Sequence, residues 1–345
     1  MTQQQTKVFT IGETIAVLYQ RRHVVLWTIL AALILVLGIV TLVAGKLGIG
    51  MGDIIALFGG ESSPTATFVL ENLRGPRLLV AILAGAAFGL SGALFQTVTR
   101  NPLGSPDVLG LAAGAGAGVA VVSLFPTGLP TPIGALAGAG VAIGLVAIAT
   151  GSGFTSPSRV ILAGIAVAAM ATAITQFVVT ATLRDEASRL AAYLVGSLNA
   201  RDLGHAGLIC LALLIALPLL IVLNPRLQLM ELGDELATSL GGKATTTRTW
   251  AIVASLMLAA MAVAVAGPIA FIALMSPHAA RMLTRSTGPN LVTSALVGAV
   301  LLVLADLSVQ QLPVLDGLPV GIITAGFGGI FLGYLLLREF RKGHA

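Results

Sequence analysis

The chain has 345 residues, of which 57% are hydrophobic and only 10% charged, with 41 glycines, one cysteine and a formal net charge of +5. Mean hydropathy is +1.00, and several windows of about 20 residues carry no charge, which is long enough to cross a bilayer. These values exclude a soluble globular enzyme; the lone Cys210 excludes an internal disulfide and a thiolate metal cluster. The excess of cations reads as membrane topology rather than nucleic-acid binding.

Residues 1–23 are too polar at their start for a signal peptide and read as a cytoplasmic tail. Ten spans follow, at about 24–45, 77–98, 108–125, 131–149, 159–182, 205–223, 249–266, 268–285, 291–312 and 319–337. The seventh and eighth are separated only by Ala266, Gly267 and Pro268, so one kinked segment is the alternative. The reading is all-α: a single membrane domain over 24–338, with a cytoplasmic tail at 339–345. With the N-terminus inside, the inner segments hold most of the 19 Lys and Arg residues, which places both termini in the cytoplasm.

Between the first two spans, GIGMGDIIALF suits a short helix lying on the membrane surface. LRGPR then sets Arg74 and Arg77 at the outer mouth of span two. Two cations at a helix start oppose the helix dipole. On the outer side they also run against the positive-inside trend, so they read as a site for an acidic partner or an anionic ligand. RNPLGSPDVLG (100–110) is a stiff polar elbow between two apolar spans, more than a plain connection requires. Span five carries the polar residues Thr172, Thr175 and Gln176; threonine in a membrane helix often bonds only its own turn. Inside, the loop at 225–248 contains MELGDELATSLGGK. Glu231, Asp234 and Glu235 favour a helix start there, and Gly241 and Gly242 favour its end. Leu232, Leu236 and Leu240 recur every fourth residue as an apolar stripe, which must pack on its own chain or on a partner.

Chemistry is sparse. No arrangement of catalytic or metal-binding residues and no phosphate-binding glycine loop occurs, so the chain cannot itself hydrolyse ATP. Asp306, near the outer end of span nine, and His278, near the inner end of span eight, are the best ionisable candidates within the spans, and neither has an obvious partner at helical spacing. Such bare spans argue against an ion-coupled secondary carrier, which needs midplane carboxylates or broken helices, and against a membrane-embedded enzyme.

Four blocks occur in order: LRGPRLLVAILAGAAFGLSGALFQTVTRNPLGSPDVLG, LGDELATSLGG, GPIAFIALMSPHAAR, and ADLSVQQL followed by LPVGIITAGFGGIF. Together they resemble the FecCD permeases, the iron-chelate and vitamin B12 importers of the ABC class, over about residues 25–340. NPLGSPDVLG, GSLN and ADLSVQQL look most like the ferric-enterobactin branch. The resemblance implies a type II ABC importer permease fold of about ten helices in the inner membrane. It implies a second permease subunit, paralogous or identical, two cytoplasmic ATPases that bind ATP and Mg, and an extracytoplasmic siderophore-binding protein. It assigns Leu232, Gly233, Glu235, Leu236, Leu240 and Gly241 to ATPase coupling, and Arg74 and Arg77 to docking of the binding protein. Gln310 stands where the vitamin B12 branch has a third docking arginine. Asn101 and Leu103, with Ser156 and Pro157, would form the inner gate, and Thr172 and Gln176 would line the pathway. Ferric siderophore is the implied cargo; cobalamin or haem would use the same machinery.

Overall fold

The computed structural model describes residues 6–11, 15–44, 50–59, 63–125, 128–151, 157–181, 190–191 and 193–342. The N-terminal segment read as a tail carries an antiparallel hairpin. Strands β1 (Thr6–Ile11) and β2 (Ile15–Gln20) pair Thr6 with Gln20 and Ile11 with Ile15. Valine, isoleucine, threonine and tyrosine dominate both strands and suit a pleated backbone.

Every other regular element is helical. Each expected span has its helix: α1 (Arg21–Val43), α4 (Gly75–Thr99), α5 (Leu111–Leu124), α6 (Thr131–Thr150), α7 (Pro157–Ala181), α8 (Leu203–Met230), α10 (Ala244–Ala266), α11 (Ile272–Thr284), α12 (Leu291–Gln311) and α13 (Val320–Lys342). Between them lie three short helices: α2 (Met51–Gly59), α3 (Pro64–Val69) and α9 (Asp234–Ser239). Among the described residues, seven helical stretches are long and apolar enough to cross a membrane by themselves. Helix α11, at 13 residues, rises only about 20 Å and does not reach across an apolar layer of about 30 Å.

Three boundaries differ from the sequence reading, and the expected break between spans seven and eight is present. Span two starts earlier: α3 runs through a π-helical turn at Leu70–Arg74 into α4, a continuous stretch over Pro64–Thr99. Span six extends to Met230 through Pro218 and Pro225, because membrane helices absorb prolines when neighbours satisfy the freed carbonyls. The C-terminal helix continues to Lys342 instead of ending at 338. Spans seven and eight are separate. Gly267 (φ 78°) and Phe271 (φ 68°) lie in the left-handed region at either side of an unwound segment. That segment is covered by protein: Ser197 N–H donates to the Ala266 carbonyl at 2.9 Å, and Gly321 N–H donates to the Gly196 carbonyl at 3.0 Å. Non-helical backbone at membrane depth is tolerated under such cover.

Helix α4 is the hub, packed against α8, α10, α11 and α12. Small residues set the distances. A Cβ added at Gly92 would strike the Ala273 carbonyl, and one at Gly85 or Gly89 would strike the α12 backbone at Gly298 or Ser294. Backbones that approach this closely gain dispersion contacts along their length, the main attraction between helices in lipid. Ser91 and Ser255 add a reciprocal pair, each hydroxyl donating to the other's carbonyl at 2.7 and 2.8 Å. A second group, α5, α6 and α7, packs through Gly114, Gly118, Gly134 and Gly138 and joins the first through α10.

Gly92→Ala should therefore cost about 1–3 kcal/mol through overpacking. Gly140→Ala, where an added Cβ meets nothing within 4 Å, should be neutral or slightly stabilising, since alanine is the better helix former. Thermal unfolding of the two purified variants in detergent checks the contrast.

Candidate functional site

Polar groups gather at the two ends of α4, whose 25 residues separate them by about 37 Å. At its start, Arg77 Nε lies 3.0 Å from both carboxylate oxygens of Asp306 and Nη2 lies 2.7 Å from Oδ1. Arg77 Nη1 donates to Asn199 Oδ1 at 2.7 Å, and Gln310 Nε2 donates to Asp306 Oδ2 at 2.6 Å. The Asp306 side chain is 2% exposed, so the cluster is a buried forked ion pair with its remaining lone pairs engaged.

Three expectations change here. Asp306 has two partners that the sequence reading did not pair with it: Arg77, 229 residues away, and Gln310, four residues on. Arg74 is no free cation: it is 8% exposed and its guanidinium donates to the Leu42 carbonyl in the last turn of α1. The dipole argument for both arginines also lapses, because the helix starts at Pro64 and they lie within it. Gln310 turns toward Asp306, its own i−4 neighbour, and so belongs to the ion pair. His278 packs edge-on against Phe331, with ring centroids 5.4 Å apart.

At the other end, α4 stops at Arg100 in a left-handed cap (φ 50°) and the elbow begins. Asn101 Oδ1 accepts the Leu103 N–H at 2.9 Å across Pro102, and the Gly104 N–H donates to the Asn101 carbonyl at 3.0 Å. Proline stiffens this turn and restricts the residue before it. Asn101 and Leu103 are both exposed at the tip. Arg100 Nη2 donates to the Met230 carbonyl at 2.9 Å and to Asp234 Oδ1 at 2.6 Å; Arg248 Nη2 donates to Asp234 Oδ2 at 2.7 Å. The Arg248 hydrogen bond above all, with Arg100 behind it, holds the Asp234 carboxyl below its ordinary range. The ion pairs are thus complete above the usual carboxylate pKa and weaken only as pH falls through the lowered value. Nearby, burial raises the Glu231 carboxyl, opposed by Arg281.

Asp234 opens α9, and Gly233 (φ 104°) and Gly241 (φ 83°) bracket it. Ala237 is buried, while Leu232, Leu236 and Leu240 are 57%, 50% and 59% exposed. The apolar stripe therefore faces outward, and Leu232 and Leu236 line with Gly233, Asp234, Glu235 and Ser239 a shallow hollow of about 470 Å³.

Thr172 and Gln176 on α7 line a groove of about 600 Å³ with Ala112, Ala113, Thr175, Thr180, Leu194 and Pro268. Thr172 and Thr175 donate to their own i−4 carbonyls at 2.7 and 3.0 Å, leaving the Gln176 amide as the more available polar group. Pro157 is the first residue of α7; Ser156 lies outside the described residues.

A profile of the FecCD transport family matches residues 33–338. The chain belongs to the FecCD transport family. FecCD relatives include the ferric enterobactin transport system permease protein FepG of Escherichia coli (strain K12), 37% identical over 93% of this chain and 98% of that protein. The Fe(3+)-citrate import system permease protein YfmE of Bacillus subtilis (strain 168) is 38% identical over 94% and 98%. A metal-chelate type ABC transporter solved in an inward-facing conformation shares the fold, with a TM-score of 0.76 at 24% identity over 91% of this chain and 99% of that one. This FecCD chain is accordingly a multi-pass permease with the type II importer fold, not an enzyme.

The Arg77–Asp306 and Arg100–Asp234–Arg248 clusters join residues from different helices, so apart from the i, i+4 pair of Asp306 and Gln310 no local spacing announces them. The one available signal was the placement of each charge beside a span end. Arg77→Ala strands a buried carboxylate and should cost about 3–5 kcal/mol. Asp306→Asn leaves a partly exposed arginine and should cost less, and combining the two should cost less than the sum. Unfolding midpoints of the three variants measure this.

Proposed function

We propose that this chain is a transmembrane subunit of an ATP-driven importer carrying a ferric siderophore, of catecholate type, across the cytoplasmic membrane. The observation that carries the reading is α9: a short helix at one end of the bundle where Leu236 and the flanking Leu232 and Leu240 are at least half exposed among the described residues. A groove in a partner ATPase would cover them. That end also holds Arg100, Arg226, Lys243, Arg248, Arg281 and Arg285, a cation excess that supports reading it as the cytoplasmic end, with both termini inside. The FecCD assignment and the resemblance to FepG support the cargo.

In this reading two ATPases bind ATP and Mg, close together, and displace α9. A second permease chain completes the pathway along α5 and α7, where Thr172 and Gln176 line the groove. The elbow at Asn101 and Leu103, with Ser156 and Pro157, closes the inner mouth. A binding protein delivers the chelate at the Arg77 end. Arg74 and Arg77 act there by fixing the docking surface to α1 and α12, since their charges are already engaged. No bond in the chelate breaks. The pairing of Asp306 with Arg77 also removes the best candidate for an ion-coupling carboxylate. Similarity to YfmE favours ferric citrate as the second reading.

The test is uptake of radiolabelled iron by a strain lacking this chain, offered as catecholate, hydroxamate and citrate chelates beside labelled cobalamin and haem. Loss of catecholate uptake alone, restored by the intact gene and not by Leu236→Arg, is the expected result. Selective loss of citrate uptake would transfer the assignment to that cargo, and normal uptake by Leu236→Arg would remove the coupling role of α9.

A further inference from the structure

Helix α9 has six residues and a single buried side chain, Ala237, so packing alone holds it loosely. What ties it down is charge. Its first residue, Asp234, offers one carboxylate oxygen to Arg100 and the other to Arg248. Arg100 is the last residue before the Asn101 elbow, and the same guanidinium nitrogen also grips the Met230 carbonyl at the end of α8. Arg248 stands in α10. One carboxylate therefore joins the ends of α4, α8 and α10 around the start of α9.

The elbow is firmly seated on its other side. The Asn101 N–H donates to the Gln96 carbonyl at 3.3 Å; Gln96 is buried, donates to the Leu274 carbonyl at 3.1 Å and accepts from Arg281 at 2.7 Å. A pull on the Arg100 side chain thus acts on a backbone cap held in the left-handed region, next to a proline-stiffened turn, with little slack to absorb it. Asp234 and Arg100 side chains are 40% and 52% exposed. Ion pairs this exposed add little to folding stability, so breaking them should leave the fold intact while releasing the geometric link between α9 and α4.

We infer that Asp234 is the joint through which movement of α9 reaches α4 and the Asn101–Gly110 elbow, so that the ATPase-facing helix and the inner mouth move as one body. This rests on the importer reading above. Asp234 is a positioning residue: it touches neither ATP nor cargo. Asparagine at 234 would keep one oxygen acceptor but present an amide donor to the second arginine, releasing one of the two ties.

The experiment uses the complete transporter, with its ATPase subunits and binding protein, in proteoliposomes, and measures chelate transported per ATP hydrolysed. Asp234→Asn and Arg100→Gln should both accumulate and co-purify with the ATPase, and should still hydrolyse ATP, while transport per ATP falls about tenfold. Asp234→Glu should recover most of the loss. Arg100→Gln is the sharper arm, because it leaves α9 tied to α10 and frees it only from α4. Leu236→Arg tests the underlying reading separately and should lose the ATPase on purification. Wild-type coupling in Asp234→Asn and Arg100→Gln, with Leu236→Arg still defective, would overturn the joint and leave the importer reading intact. Failure of both variants to accumulate would also overturn it, by showing a structural staple. Retention of the ATPase by Leu236→Arg would instead bring down the reading of α9 itself.

Discussion

Helix α4 is packed backbone to backbone, and the rest of the architecture depends on that closeness. Gly85, Gly89 and Gly92 leave no room for a Cβ against α12 and α11, and Ser91 locks α4 to α10. In lipid, contact of this kind replaces the hydrophobic effect as the attraction between helices. A helix gripped along its middle behaves as a rod, so the chemistry at its two ends is held in fixed relation across about 37 Å.

The two ends are built differently, and burial explains the difference. At Arg77 the partner carboxylate is almost wholly enclosed, so the pair must be well formed or the protein suffers an uncompensated charge. At Arg100 the partner stands in water, where ion pairs are weak and reversible. One end is suited to fixing shape and the other to changing it. The remaining polar groups in the spans are mostly satisfied locally: threonine hydroxyls return to their own helices, and Gln96 bridges α4 to α11.

Around this rod the chain presents surfaces that its described residues leave open. The α9 leucines face out at one end, and α7 presents Thr172 and Gln176 to an open groove. A helix pair closed on itself would bury such positions. A subunit that pairs with another membrane chain and docks soluble partners would leave them open, in keeping with membership of the FecCD transport family.

Much of the fold was legible in the sequence, because a bilayer demands long apolar helices with internally satisfied backbones and such runs are visible one after another. The ten spans, the helix in DELATS with its glycine ends, and the outward leucine stripe follow from local pattern. The boundaries that shifted, and the break between spans seven and eight, have reasons outside a local window: Pro218 and Pro225 are absorbed by neighbouring helices, and the unwound segment after Ala266 is sheltered by 193–198 and Gly321. The polar sites were the least legible. Arg74, Arg77, Gln310 and Asp306 are four separate residues in the sequence, and only packing decides that Arg74 caps α1 while the other three form one cluster. Arg100, Asp234 and Arg248 likewise meet only because α4, α8 and α10 end at one level. Sequence alone determined which segments enter the membrane, since that depends on each segment's transfer into lipid. Tertiary structure decided which charges are free and which are paired, since that depends on helices brought together from distant parts of the chain.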